Sequence, residues 1–109
     1  MSVDLPTPIA IYIAAENRSD TEALTQCFAE HAAVRDEGQT IEGVAAIEQW
    51  MAETKRKYQH TIEPLASARK GDKTIVTNRL TGNFPGSPVD LQFVFGLDGS
   101  KIVSLEIHP

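Results

Sequence analysis

Val89-Asp90-Leu91-Gln92-Phe93-Val94-Phe95-Gly96-Leu97 carries an apolar residue at every second position, and Asp98-Gly99-Ser100 follows it. That period of two is a β-strand with one buried face, and the Asp-Gly-Ser triplet is a turn. Beyond the turn, Ile102 to His108 forms a last strand, with Val103, Leu105 and Ile107 assigned to one face. His108 falls on the opposite face and is expected to be exposed.

Two more strand-like runs lie upstream. One spans about His60 to Arg69 and ends at Lys70-Gly71-Asp72. The other spans Thr74 to Phe84 and ends at Pro85-Gly86-Ser87-Pro88. Asn78 and Arg79 sit mid-strand on opposite faces, so one of them points inward or toward a partner.

The first half is helical. Thr7-Pro8 is a helix start, and Ile9, Tyr12, Ile13 and Glu16 follow the i, i+3, i+4, i+7 spacing of one helix face. After a break at Asn17 to Asp20, Ser19 and Glu22 form a capping box for a second helix. Leu24, Cys27, Phe28, His31 and Ala32 mark its inner face, which makes Cys27 a core thiol and His31 a structural histidine. A short strand, Ala33 to Asp36, turns at Asp36-Glu37-Gly38 and pairs with Gln39 to Glu42. Gly43 opens a third helix, with Val44, Ile47, Trp50, Met51, Thr54 and Tyr58 along one side. Helices first and an antiparallel meander afterwards describe an α+β fold with helices packed on one face of a sheet.

The chain has 109 residues, of which 41% are hydrophobic and 23% charged, as expected for one domain spanning 1–109. A net charge of −5 argues against a nucleic-acid partner, and the Lys55-Arg56-Lys57 run suits a helix C-terminus. With one cysteine, the chain has no internal disulfide and no Cys-rich metal site. The histidines His31, His60 and His108 have no ligand spacing, so no metal is expected. The longest apolar stretch, Ile9 to Ala15, is too short for a membrane span. Asp4 and the absence of a basic n-region argue against a signal peptide, which leaves a cytoplasmic setting as the expectation. No phosphate loop, dinucleotide fingerprint or Gly-x-Ser-x-Gly elbow occurs, so no cofactor is expected.

Four stretches carry a family resemblance. They are Ile11-Tyr12-Ile13-Ala14-Ala15-Glu16-Asn17-Arg18-Ser19-Asp20, Phe28-Ala29-Glu30-His31-Ala32-Ala33-Val34-Arg35-Asp36, Ile41-Glu42-Gly43-Val44-Ala45-Ala46-Ile47-Glu48-Gln49-Trp50 and Asp98-Gly99-Ser100-Lys101-Ile102-Val103-Ser104-Leu105. In this order the chain resembles the nuclear transport factor 2 superfamily, and in particular its SnoaL-like and ketosteroid-isomerase-like members. The resemblance implies a cystatin-like cone of three N-terminal helices on a curved, antiparallel, mixed-order sheet. It also implies a homodimer and either of two functions. One is a cofactor-independent proton-transfer enzyme, an isomerase or polyketide cyclase, acting on a small apolar carbonyl compound. The other is a non-catalytic ligand-binding or dimerisation module.

The resemblance to ketosteroid isomerase places Tyr12 on the oxyanion tyrosine and Asp36 on the aspartate base. In that mechanism the aspartate moves a proton between carbons while the tyrosine and a protonated aspartate hold the dienolate oxygen. The second acid has no counterpart here: its position falls on Phe93, or on Gln92 if the register slips by one, and Asp90 is turned to the other face. On physical grounds, Val34 and Asp36 lie two apart on a strand and share a face. If Val34 faces the core, so does Asp36, and its poorly solvated carboxylate becomes more basic. Trp50, Met51, Phe93, Phe95, Leu105 and Ile107 are the expected pocket walls for a small apolar ligand. His60, at a strand start near the expected mouth, is a further candidate acid or base.

Overall fold

The computed structural model describes residues 3–109. Helix α1 (Thr7–Arg18) is followed by a single 3-10 turn (Thr21–Ala23) and a four-residue helix α2 (Leu24–Cys27). Strands β1 (Phe28–Asp36) and β2 (Gln39–Glu42) form a hairpin, and α3 (Val44–Tyr58) crosses next. Then come β3 (Thr61–Lys70), β4 (Lys73–Thr81), β5 (Val89–Asp98) and β6 (Lys101–His108). The six strands form one sheet in the order β2-β1-β6-β5-β4-β3. Its pairings are antiparallel except β1–β6, which is parallel, so the sheet is mixed.

The alternation in β5 holds as expected: Phe93 and Phe95 are buried and Gln92 is exposed. In β6 the alternation breaks. Gly96 pairs with Ser104 while Leu97 pairs with Ile102, so Val103 is the extra residue of a bulge. Ile102 and Leu105 therefore both reach the core, and Val103 points out at 38% exposure instead of sharing a face with Leu105. Strand β4 also stops short of Phe84, at Thr81, because Gly82 lies against the Tyr58 carbonyl.

Two further expectations are corrected in the first half. Ser19 does not cap the second helix; it ends α1 in the left-handed region, and the Asp20 side chain accepts from the Ala23 amide at 3.3 Å instead. The second helix does not run through Ala32. Phe28 is already extended and pairs with Ile102, so the residues after it belong to β1 and His31 is exposed. Pairing with β6, seventy residues away or more, overrides a helical spacing that looked continuous.

The core lies between α1, α2, α3 and the inner sheet face. Tyr12 sits at its centre, edge-on to Phe28 at 5.6 Å and to Phe95 at 5.8 Å. Such pairs add roughly 0.5–1.5 kcal/mol beyond the area they bury. Helix α1 is fixed to β3 by Asn17, whose side chain donates to the Ile62 carbonyl at 2.9 Å and accepts from the Ile62 amide at 2.7 Å. This two-point link sets the last turn of α1 against the start of β3, where the candidate site forms. Among the described residues, no helix is long and apolar enough to cross a membrane.

Candidate functional site

A cavity of about 400 Å³ opens beside the Tyr12 aromatic cluster, with Phe93 shared between the two. That is a small-molecule size, within the roughly 300–1,000 Å³ of ordinary ligand pockets. Leu80, Val89, Leu91, Phe93 and Ile107 of β4, β5 and β6 form an apolar wall. Facing it are Glu16 of α1, Asp36 and Glu37 of the β1–β2 hairpin, Trp50, Thr54 and Tyr58 of α3, and His60. Phe84 and Pro85 close the rim.

Each polar group has a reason to be there. Val34 is fully buried and Arg35 is exposed, so alternation turns Asp36 inward at the hairpin end. Burial raises the Asp36 pKa above its ordinary 3.8, Glu37 raises it further, and a hydrogen bond from Trp50 opposes them. Glu16 and His60 also act on Asp36, in opposite senses. The chain therefore places a carboxyl of increased basicity beside an apolar wall.

His60 and Glu16 are 5% and 3% exposed. His60 Nε2 stands 3.5 Å from Glu16 Oε1, an ion-pair distance without a formed hydrogen bond. His60 Nδ1 makes no hydrogen bond to the protein. The His60 carbonyl accepts from Lys55 Nζ, and Gly82 is packed on the His60 backbone, where a Cβ would come within 2.9 Å. Glu16 is held from the other side by Tyr12, whose hydroxyl donates to Glu16 Oε2 at 2.7 Å. Burial first, and Glu16 second, push the Tyr12 pKa well up, so the phenol keeps its proton and remains a donor.

The structure thus brings together Asp36, His60, Trp50, Phe93 and Ile107 of the residues singled out from sequence. It separates the others. Tyr12 is fully buried, does not line the cavity, and commits its proton to Glu16. Phe95 and Leu105 are fully buried in the core, and Met51 is buried outside this cavity. Gln92 is exposed and points away, so the register places Phe93, not Gln92, on the cavity wall.

Glu16 is the residue whose role was not drawn from sequence, although a signal existed. It is an acid on the apolar face of α1, four residues after Tyr12, and side chains at that spacing touch. Of the mid-strand pair in β4, Asn78 points inward and is fully buried, without a hydrogen bond to either side-chain atom. Arg79 is outside, paired with Asp90 at 2.9 Å. Among the described residues, no three His, Cys, Asp or Glu side chains converge to hold a metal ion.

The chain matches the SnoaL-like domain over residues 9–105. No curated protein matches it significantly. Among solved structures, it is similar to a candidate polyketide cyclase from Sinorhizobium meliloti, at 41% identity over 96% of each chain with a TM-score of 0.92. It also superposes on a protein of ketosteroid isomerase-like fold from Catenulispora acidiphila, in complex with trimethylamine. There the identity is 21%, the coverage 97% of this chain and 87% of that one, and the TM-score 0.84. A candidate isomerase of the SnoaL-like family from Agrobacterium tumefaciens is 20% identical over 93% and 92% of the two chains, with a TM-score of 0.76. With the cone, its end cavity and a domain match over nearly the whole length, the chain belongs to the SnoaL-like family, within the nuclear transport factor 2-like fold.

Proposed function

We propose that this protein is a cofactor-independent proton-transfer catalyst, of polyketide cyclase or isomerase type, acting on a small apolar carbonyl compound. The observation that carries the reading is Asp36: a half-buried carboxyl of raised pKa, facing an apolar wall in a cavity of ligand size. In this reading Asp36 takes a proton from the carbon beside the carbonyl, leaving an enolate. Returning the proton to another carbon completes an isomerisation; attack of the enolate carbon on a second carbonyl completes a cyclisation.

His60 acts on the substrate oxygen. Glu16 faces its Nε2 at 3.5 Å and holds the ring at the cavity wall, while Nδ1 is buried without a protein partner. Tyr12 then supports the site at one remove, as a positioning residue that holds Glu16. The 41% identical candidate polyketide cyclase supports the reaction type, and the trimethylamine complex supports a small ligand for a protein of this fold.

A non-catalytic binding module is the second reading. It is favoured by Phe93, an apolar side chain on the wall where the ketosteroid isomerase pattern needs a second acid. For the oligomer we infer a homodimer, with the exposed Leu65 and Val103 as apolar contacts; a monomer mass by sedimentation would refute it.

The deciding measurement uses a β,γ-unsaturated ketone and follows conjugated enone absorbance. Conversion by the wild-type protein that is lost in Asp36→Asn supports the base. Equal rates in the two proteins refute Asp36 as the base, and no conversion of a ketone shown to bind leaves the binding module.

A further inference from the structure

The charge of the cavity is one-sided. Glu16, Asp36 and Glu37 line it, and among the described lining residues there is no lysine or arginine. Of the three, Glu37 is exposed at the hairpin turn, Asp36 is half-buried and Glu16 is buried. Glu16 is 3% exposed, its Oε1 has no hydrogen bond, and only His60 stands near it. A buried carboxylate oxygen without a donor is costly to maintain unless a positive partner reaches it.

The rings are placed to complement that charge. Trp50 and Tyr58 line both the cavity and a shallower cleft outside it, and Asp36, Glu37 and Thr54 are shared in the same way. Two aromatic side chains and two carboxylates therefore stand at the mouth, between the cavity and the outer cleft. The face of an aromatic ring is negative and attracts ammonium groups, more strongly where water is excluded. One of these rings already meets a cation of the chain: Lys57 Nζ lies 5.0 Å from the Tyr58 ring centre, and Lys57 lines the outer cleft but not the cavity. The electrostatics of Asp36 agree, because Glu37 and Glu16 both hold its proton on. A cation entering the mouth relieves that repulsion.

We propose that the cavity selects a small organic cation, with its ammonium group at the mouth against Trp50 and Tyr58, between Asp36 and Glu37, and its apolar body on Leu80, Leu91 and Phe93. This names a ligand class for the site described above and rests on that cavity being a ligand site. It changes the substrate of the proposed reaction from a wholly apolar carbonyl compound to one with an apolar body and an amine.

The test compares two ligands of one shape and different charge, choline and 3,3-dimethylbutan-1-ol, titrated into the full-length protein. Trp50 is the single tryptophan and lines the mouth, so its fluorescence reports binding directly. Choline is expected to bind about tenfold more tightly than the alcohol, which is the discrimination that half-buried aromatic rings flanked by carboxylates provide. Glu37→Gln removes one carboxylate and is expected to reduce that preference about threefold, with the alcohol's affinity unchanged.

Equal binding of the two ligands, tighter binding of the alcohol, or no response to either at millimolar concentration overturns the proposal. Failure here is separable from failure of the proton-transfer reading. Asp36-dependent enone formation with no preference for choline removes only the cation. Choline binding with no Asp36-dependent enone formation removes only the proton transfer by Asp36.

Discussion

Tyr12→Phe isolates one oxygen atom in the centre of the molecule. The ring is fully buried and touches Phe28, Phe93 and Phe95, all of which a phenylalanine keeps. Only the 2.7 Å hydrogen bond to Glu16 Oε2 is removed. It is charge-assisted, and bonds of that class contribute about 1.5–3 kcal/mol. The upper end applies, because Glu16 Oε1 has no hydrogen bond of its own and the variant leaves the carboxylate with none. A loss of about 3 kcal/mol corresponds to a fall in Tm of roughly 12 °C, at about 4 °C per kcal/mol for a domain of this size. Circular dichroism melts of the two proteins measure it. A double-mutant cycle with Glu16→Met checks the cause. The double variant is expected to be less destabilised than the sum of the singles by about 1 kcal/mol or more, since each single strands the other's partner. A Tm change under about 2 °C, or strict additivity in the cycle, would show that the Tyr12–Glu16 bond does not hold the buried end of the site.

Three other outcomes follow from individual contacts. Asp36→Asn is expected to raise Tm at neutral pH while removing catalysis. The folded pKa of Asp36 lies above its ordinary 3.8, so ionisation opposes folding. The penalty is absent below 3.8, grows as pH rises towards the folded value, and is full above it. Melts across pH should show the gain vanish on acidification; no gain at neutral pH sinks the idea. Gly82→Ala places a Cβ 2.7 Å from the Tyr58 carbonyl oxygen and 2.9 Å from His60 Cα, backbone atoms that cannot swing aside. It should cost about 1–3 kcal/mol and weaken ligand binding by shifting His60, whereas an unchanged melt and affinity would contradict the contact. Asn78→Leu replaces a fully buried amide with no hydrogen bonds by an apolar side chain of the same branching. Stability measured in urea should rise by about 1–3 kcal/mol, and a loss of similar size would reveal a polar partner for Asn78.

Sheet periodicity was legible because one face of the sheet is buried and the other is not. Val34 and Asp36, and likewise Phe93 against Gln92, take the sides that alternation assigns. The α2–β1 boundary was not legible. Leu24, Cys27, Phe28 and Ala32 are buried in the structure and also fit one helix face, and only the distant pairing of Phe28 with Ile102 decides between helix and strand. The bulge at Val103 is hidden for the same reason, since it depends on how β6 meets β5. Site walls depend on depth within the cone, which periodicity does not encode. Phe93 and Phe95 share a face of one strand, yet Phe93 lines the cavity and Phe95 is packed on Tyr12. Glu16 was visible as an inner-face acid, but its meaning needed His60, brought to it by the Asn17–Ile62 link.

The two ends of the cone are built on opposite principles, and this bears on whether the cavity is functional. At the closed end Tyr12, Phe28 and Phe95 interlock, and every large side chain there is fully packed. At the open end the same chain keeps an empty volume of ligand size, a buried Glu16–His60 pair and a carboxyl whose ionisation the fold disfavours. Each feature is unfavourable for folding alone: a cavity forfeits dispersion contacts, and buried polar atoms without a formed hydrogen bond lose their hydration uncompensated. Costs scattered through a protein need no common cause. Here they converge on one cavity, whose wall includes Glu16, His60 and Asp36 together. A site that is destabilising when empty and satisfied when occupied is the pattern expected of acid–base machinery, where basicity is raised by withholding solvent.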